Sequence, residues 1–241
     1  MADLKENEFG IKTIYDTTGK DSDELQNGIA KKEYVEFQKE MFHCNWDKMY
    51  DQYEKIYDAI GWPSPAMVAT IIDAIGLPKD TPIFDVGVGS GLIGKELQQR
   101  GYNNIDGFDG CQGFVDMAKE RGWYKDLFTS FVTTVEEFPF GDRVGKYDVV
   151  VSAGVLMKGN MPPCVFEIKD KLTKVGGFNV FSVSKVHWEE FGFQEAVKKL
   201  EDEGRWELVK REETLKYNNM QERVWEYTPT TEYGFLYRKL K

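Results

Sequence analysis

The stretch Ile83-Phe-Asp-Val-Gly-Val-Gly-Ser-Gly91 decides the reading of this chain. A short apolar strand ends in an acid, and alternating glycines then open a helix beginning at Leu92. Further on, a second strand, Asn104-Ile-Asp-Gly-Phe-Asp109, ends in another carboxylate. A strand–glycine turn–helix unit of this kind offers bare backbone to a ligand's polar group, and the second acid can accept from a ribose diol. α/β folds hold adenosine-containing cofactors in this way.

Outward from that unit the sequence alternates. Ile83–Val86 reads as a strand and Leu92–Gln99 as a helix ended by Gly101; Ile105–Phe108 is a strand and Phe114–Arg121 a helix ended by Gly122. Phe128–Val132 and the near-continuous apolar run Tyr147–Ser152 are strands. Val165–Thr173 is a helix entered through Pro162-Pro163 and stopped by Gly176-Gly177, and Phe178–Val183 is a strand. Such alternation predicts a parallel sheet with helices on both faces. The end of the chain changes character: helix Gln194–Glu203 leads to Trp206–Lys210, Arg223–Tyr227 and Tyr233–Tyr237. The last two, joined by Thr228-Pro-Thr-Thr231, suggest an antiparallel hairpin closing the sheet edge.

Upstream, residues 1–40 are polar and acidic and read as an N-terminal extension, loose or partly helical, ahead of one domain over 41–241. Trp46, Tyr50, Tyr53 and Tyr57 share a helical face. Ser64-Pro65 supplies an N-cap and an N1 proline for an apolar stripe, Met67, Val68, Ile71, Ile72 and Ile75, closed by Gly76. A chain of 241 residues with 41% hydrophobic and 14% aromatic content has material for one large core. Its formal charge of −10, with no run of Lys or Arg, argues against a nucleic-acid partner. Cys44, Cys111 and Cys164 are too few and too scattered for a disulfide framework or zinc site, and with only His43 and His187 no metal centre is expected. No apolar run reaches membrane-spanning length, so a cytoplasmic, membrane-free protein is expected.

Gly89-Ser-Gly91-Leu-Ile-Gly94 formally matches the G-x-G-x-x-G dinucleotide pattern, but Gly87 already occupies the turn, so the pattern is displaced by two residues. Asp85 would also set a carboxylate near a pyrophosphate, and the two anions would repel. A cofactor with a cationic ammonium fits better. That charge argument favours S-adenosylmethionine, whose methionyl end carries an amine and whose sulfonium is positive.

Asp85-Val-Gly-Val-Gly-Ser-Gly91 resembles the first motif of the class I S-adenosylmethionine-dependent methyltransferases. Gly107-Phe-Asp109 resembles their acid after strand 2, Phe138-Pro-Phe140 the segment after strand 3, Tyr147–Val151 their strand 4 and Lys174-Val-Gly-Gly177 the segment before strand 5. More narrowly, Trp46-Asp47, Tyr53, Pro63-Ser-Pro65 and Gly159-Asn-Met-Pro162 resemble the Williams–Beuren-region methyltransferase-like proteins. The resemblance implies a Rossmann-like, doubly wound, mostly parallel seven-stranded sheet in a three-layer α/β/α arrangement. Its implied cofactor is S-adenosylmethionine, with S-adenosylhomocysteine as product.

The same resemblance implies a set of cofactor-binding residues. Gly87, Val88, Gly89, Gly91 and Leu92 form the turn that approaches the methionyl part and adenosine, and Asp85 polarises the amine, directly or through water. Asp109 accepts from the ribose hydroxyls, with Gly110 and Cys111 alongside. Thr134 and Val135 bracket adenine, Thr134 standing where the family's usual acid would be. Ser152 and Ala153 face the sulfonium, and Tyr53 and Trp46 close over the methionyl end. Plain packing competes for the 46–57 stripe and for Cys111.

Methyl transfer from a sulfonium asks the protein chiefly to orient an acceptor and exclude water. No catalytic residue is assigned; His187, after strand 5, and Lys158, after strand 4, are the only sequence candidates for a base and for an anion partner. Asn160-Met-Pro-Pro-Cys164 is better explained as a helix start than as a nucleobase-methylating motif. The expected acceptor is a small molecule or a protein side chain. A noncatalytic S-adenosylmethionine-binding or partner module, and an NAD-dependent oxidoreductase, stay open beside it.

Overall fold

In the computed structural model, residues 62–157, 160–215 and 231–241 are described. The expected extension over 1–40, the aromatic helix with Trp46 and Tyr53, Lys158, Gly159 and the strand Arg223–Tyr227 lie outside the described residues.

The prolines at 63 and 65 set the entry to α1 (Ser64–Ile75), and Gly76, in the left-handed region, ends it. Ser64 does not cap this helix. It is buried within the first turn and its hydroxyl donates to the Glu232 carboxylate at 2.9 Å, tying α1 to the last strand. The chain then alternates through β1 (Ile83–Val86), α2 (Leu92–Gln99), β2 (Ile105–Asp109), α3 (Gln112–Arg121), β3 (Asp126–Thr129) and β4 (Tyr147–Ser152). It continues through α4 (Val165–Leu172), β5 (Thr173–Ser184), α5 (Lys185–Glu190), α6 (Phe193–Asp202), β6 (Trp206–Leu215) and β7 (Thr231–Lys239).

Among the described residues the strands form a single seven-stranded sheet in the order β3-β2-β1-β4-β5-β7-β6. β3, β2, β1, β4 and β5 run parallel; β7 lies antiparallel between β5 and β6. The predicted doubly wound, mostly parallel sheet with an antiparallel C-terminal part is therefore present. Three details differ. The hairpin partner of β7 is β6, and β5 occupies the other edge of β7, so both its hydrogen-bonding edges are used. β3 lies upstream of the predicted Phe128–Val132 because pairing with β2 runs from Asp106↔Asp126 to Asp109↔Thr129. β5 starts at Thr173, before Gly176-Gly177, with an irregularity opposite Tyr147–Val149 that absorbs those glycines.

Side chains sort by the two-residue period of the strands. Phe84, Val86, Val150, Phe181 and Val183 meet α4, α5 and α6, while Ile83, Val149, Val151 and Val180 meet α1 and α2. On the first face Phe166 of α4 is enclosed by Phe181, Phe193 and Trp206, with ring centroids 5.1, 6.2 and 6.0 Å away. Asp170, at the end of the same helix, accepts from the Trp206 indole N–H at 2.8 Å and from the Arg205 guanidinium. Its carbonyl accepts from the Lys239 ammonium at 2.7 Å, so one helix end locks β6 and β7 against the sheet.

Gly107 in β2 leaves no room for a side chain: a Cβ there would lie 2.8 Å from the Asp85 carbonyl oxygen and 2.5 Å from Val88 Cγ1. Backbone cannot yield as a flexible side chain does. Gly107→Ala is expected to cost about 1–3 kcal/mol of stability, the range for overpacking, read as a lower urea midpoint; an unchanged midpoint would show that β1 and β2 are not packed this closely.

Candidate cofactor site

Strand order reverses between β1 and β4, since β1 leads outward to β2 and β4 leads the other way to β5. Open α/β sheets bind ligands in the crevice beyond the carboxyl ends of such strands. Asp85 lies opposite both Gly107 of β2 and Val151 of β4, so the glycine turn and the segment after β4 meet at this point.

The turn is held by β2. The backbone N–H groups of Gly87 and Val88 both donate to the Phe108 carbonyl at 3.0 Å, and that of Gly89 donates to Asp109 Oδ2 at 2.8 Å. Gly87, Gly89 and Gly91 all have left-handed backbone, with φ of 78°, 51° and 91°, which side-chain-bearing residues resist. Val88 is buried, Leu92 half-buried, and Val155 packs where a Gly87 side chain would be. Asp109 closes the arrangement through Oδ1, which accepts from Cys111 N–H at 2.9 Å at the start of α3. Burial pushes its carboxyl up to about 6 against the lowering effect of the Gly89, Cys111 and Gly110 backbone donors.

Asp85 has no solvent exposure. Its Oδ2 accepts from the Tyr124 hydroxyl at 2.6 Å, and that hydroxyl accepts from Gly94 N–H at 3.0 Å. Oδ1 is buried with no hydrogen-bond partner among the described residues. Burial raises this carboxyl to about 7, resisted by Tyr124 and by the charge of Lys169, with Asp109 adding to the rise. Gly94 is the last glycine of the formal dinucleotide pattern, and its function here is steric: a Cβ would come within 2.5 Å of the Tyr124 ring.

At the end of β4, Ser152 and the following Ala153 are both buried, and Trp62 lies against Gly154 where a Cβ would come within 2.3 Å of its ring. Ser152 Oγ accepts from the Lys169 ammonium at 2.9 Å. Thr134 and Val135 follow β3 in a turn fixed by Glu137, whose Oε2 accepts from Thr133 N–H at 2.7 Å and Thr134 N–H at 3.2 Å. Cys111 is buried at the N-terminus of α3, beside Gly110. His187 is not on a loop: it lies in α5, with Nδ1 2.6 Å from Ser184 Oγ.

Sequence reasoning missed Tyr124 and Lys169. Tyr124 follows a helix-ending glycine and carries no pattern of its own. Lys169 did leave a signal, because it shares the buried face of α4 with Val165, Phe166, Ile168 and Leu172; a lysine at that position must reach a buried acceptor.

A family described as a methyltransferase domain matches residues 84–181, which span the turn, both acids and β4. Methyltransferase-like protein 27 from Homo sapiens is 30% identical over 176 residues, covering 70% of this chain and 69% of that protein. The chain belongs to the class I S-adenosylmethionine-dependent methyltransferases. Solved structures share the fold of this methyltransferase at low identity. A TehB-like S-adenosylmethionine-dependent methyltransferase from Corynebacterium glutamicum matches with a TM-score of 0.53 and 20% identity, over 80% of this chain and 97% of that one. The [4+2]-cyclase SpnF matches with a TM-score of 0.53 and 14% identity, over 73% and 81%.

The methyltransferase fold implies S-adenosylmethionine, and the residues at the switch point fit it. A turn with glycine at every second position, its Val88 and Ser90 side chains buried, follows β1, and a carboxylate stands near the end of each of the two strands bordering it.

Tyr124→Phe would remove the donor to Asp85 and the acceptor for Gly94. Stranding these groups is expected to cost about 1–3 kcal/mol and to raise the pH at which Asp85 ionises. Denaturant titration checks the first effect and a carboxyl-resolved NMR titration the second; a variant as stable as the parent would show that the contact contributes nothing.

Proposed function

We propose that this methyltransferase binds S-adenosylmethionine at the β1–β4 switch point and transfers its methyl group to a small molecule or a protein side chain in the cytoplasm. The observation that carries the reading is the pair of buried carboxylates, Asp85 and Asp109, on either side of a glycine turn.

When bound, the cofactor supplies the electrophilic methyl group; the chain binds, orients and excludes water. Asp109 is assigned to the ribose hydroxyls. Backbone N–H groups of Gly89, Cys111 and Gly110 already act on its oxygens, and an ionised carboxylate, with about four acceptor positions, still has capacity for a ligand hydroxyl. Asp85 is enclosed, so its assigned action on the methionyl ammonium is through its field. Gly87, Val88, Gly89, Gly91 and Leu92 are assigned to the turn beneath the methionyl part, with Gly110 and Cys111 flanking the ribose. Thr134 and Val135 are assigned to adenine, and Ser152 and Ala153 to the sulfonium. Trp46 and Tyr53, which the resemblance also names for the cofactor, lie outside the described residues.

Calorimetric titration with S-adenosylmethionine, S-adenosylhomocysteine and NAD tests the cofactor. Binding of the first two without NAD supports the reading, and preference for NAD overturns it. Label transfer from the methyl-labelled cofactor into a cell extract tests turnover. Asp109→Ala is expected to weaken S-adenosylmethionine binding by about 1–3 kcal/mol, the range for a bond to a charged group; unchanged affinity would remove Asp109 from the ribose. The pH dependence has a definite sign. Both acids bind the ligand better when ionised and have carboxyls raised to about 6 and about 7. Binding therefore releases protons, and affinity rises as pH climbs through that window; a profile flat from pH 5 to 8 would contradict it.

A further inference from the structure

Lys169 is the buried charge that the proposed roles leave unused. It has no solvent exposure, and its ammonium crosses from α4 to the carboxyl end of β4, donating to Ser152 Oγ at 2.9 Å and to the Val180 carbonyl at 3.3 Å. The Phe181 ring lies 5.4 Å from it. No carboxylate touches the ammonium among the described residues; the anion that acts on it is Asp85, at the end of the adjacent strand.

Other charges on the elements packed around Lys169 are satisfied elsewhere. On α4 itself, Glu167 and Asp170 are held by Arg205, and Lys199 of α6 also reaches Glu167. Asp148 of β4 pairs with Lys174 of β5 at 2.7 Å, and Lys239 of β7 donates to backbone carbonyls. Asp109 of β2 and Tyr124 act on Asp85.

We propose that Lys169 is a specificity-determining residue that sets the preference between the sulfonium cofactor and its neutral thioether product. The inference rests on the reading that the cofactor lies at the β1–β4 switch point with its sulfonium toward Ser152. In the ammonium form Lys169 repels the sulfonium and leaves the thioether unaffected. In the amine form that penalty is gone, Ser152 Oγ keeps a partner, and Asp85 attracts the sulfonium unopposed. Burial brings the lysine down to about 7, against the raising effect of Asp85, so both forms are populated near neutrality.

A ratio of affinities isolates this effect. S-adenosylmethionine and S-adenosylhomocysteine share the ribose and the amino-acid end, so titration of Asp109 and of the ligand amine largely divides out. Calorimetry with both ligands across pH 6 to 8.5 is expected to show the preference for S-adenosylmethionine rising about tenfold, the scale of two unit charges roughly 12 Å apart at an effective dielectric near 20. In an Asp85→Asn background, where no carboxyl titrates at that strand end, Lys169→Met should make the ratio independent of pH. Asp85→Asn should move the midpoint to lower pH, because the anion that keeps the lysine protonated is removed. Failure of the wild type to bind either ligand overturns the cofactor reading together with this inference. Binding of both with a ratio flat in pH overturns this inference alone, even where the variants do not fold. A ratio that turns flat in Asp85→Asn alone assigns the effect to Asp85, and one that stays pH-dependent in the Asp85→Asn/Lys169→Met double variant assigns it to another group; either likewise overturns it.

Discussion

Enclosing a carboxylate at the end of the first strand is the constraint from which the rest of this site follows. Asp85 has no solvent exposure, and a buried charged carboxylate carries a desolvation cost of several kcal/mol unless hydrogen bonds and opposite charge offset it. Two elements converge on it for that reason. Tyr124, from the loop after α3, donates its hydroxyl, and Lys169, from the opposite face of the sheet, contributes charge. The Tyr124 hydroxyl needs close approach to α2, which only a glycine at 94 permits. A residue that looks like part of a phosphate fingerprint is thus explained by the packing of a tyrosine.

Asp109 plays a complementary part. Through one oxygen it holds Gly89 of the turn, and through the other the first residue before α3, so the ends of β1 and β2 are one hydrogen-bonded unit. The shape of the turn depends on an acid twenty positions away. Any ligand hydroxyl that bonds Asp109 therefore also reads the geometry of the glycine turn. Binding and local order are coupled there by construction.

The fold was legible because its signals are local and periodic. The apolar run Tyr147–Ser152, the helix-ending Gly101 and Gly122, and the acid–glycine turn each announce an element without reference to the others. Strand pairing is not local. β3 is placed by its register with β2, and β7 chose β6 as its hairpin partner, although a shorter connection from Arg223–Tyr227 reads equally well in sequence. The site divided the same way. Its backbone part, Gly87 to Gly91 with Asp85 and Asp109, was readable because it is contiguous with the strands that present it. Tyr124 was not, since its contact with Asp85 spans 39 positions and depends on tertiary packing. Lys169 lay between these cases: the apolar stripe of α4 exposed it as a buried lysine, but its acceptor, Ser152, could only be found in three dimensions.

The charges at the switch point carry the argument toward ligand class. With all three ionised, Asp85, Asp109 and Lys169 sum to one negative charge. A ligand with an ammonium, a carboxylate and a sulfonium brings one net positive charge and neutralises them. A dinucleotide would add the two negative charges of its diphosphate to a site already negative. In a region of low effective dielectric, like charges a few ångströms apart repel by several kcal/mol, and the N–H groups of Gly87, Val88 and Gly89, which already donate to Phe108 and Asp109, do not offset that repulsion. Lys169 is part of this balance: its charge lowers the Asp85 carboxyl, and without it the rise seen there would go further. A lysine behind the sheet thus acts in two opposed ways: it favours the ionised acid of the first strand, and in its ammonium form it opposes the sulfonium that this acid attracts.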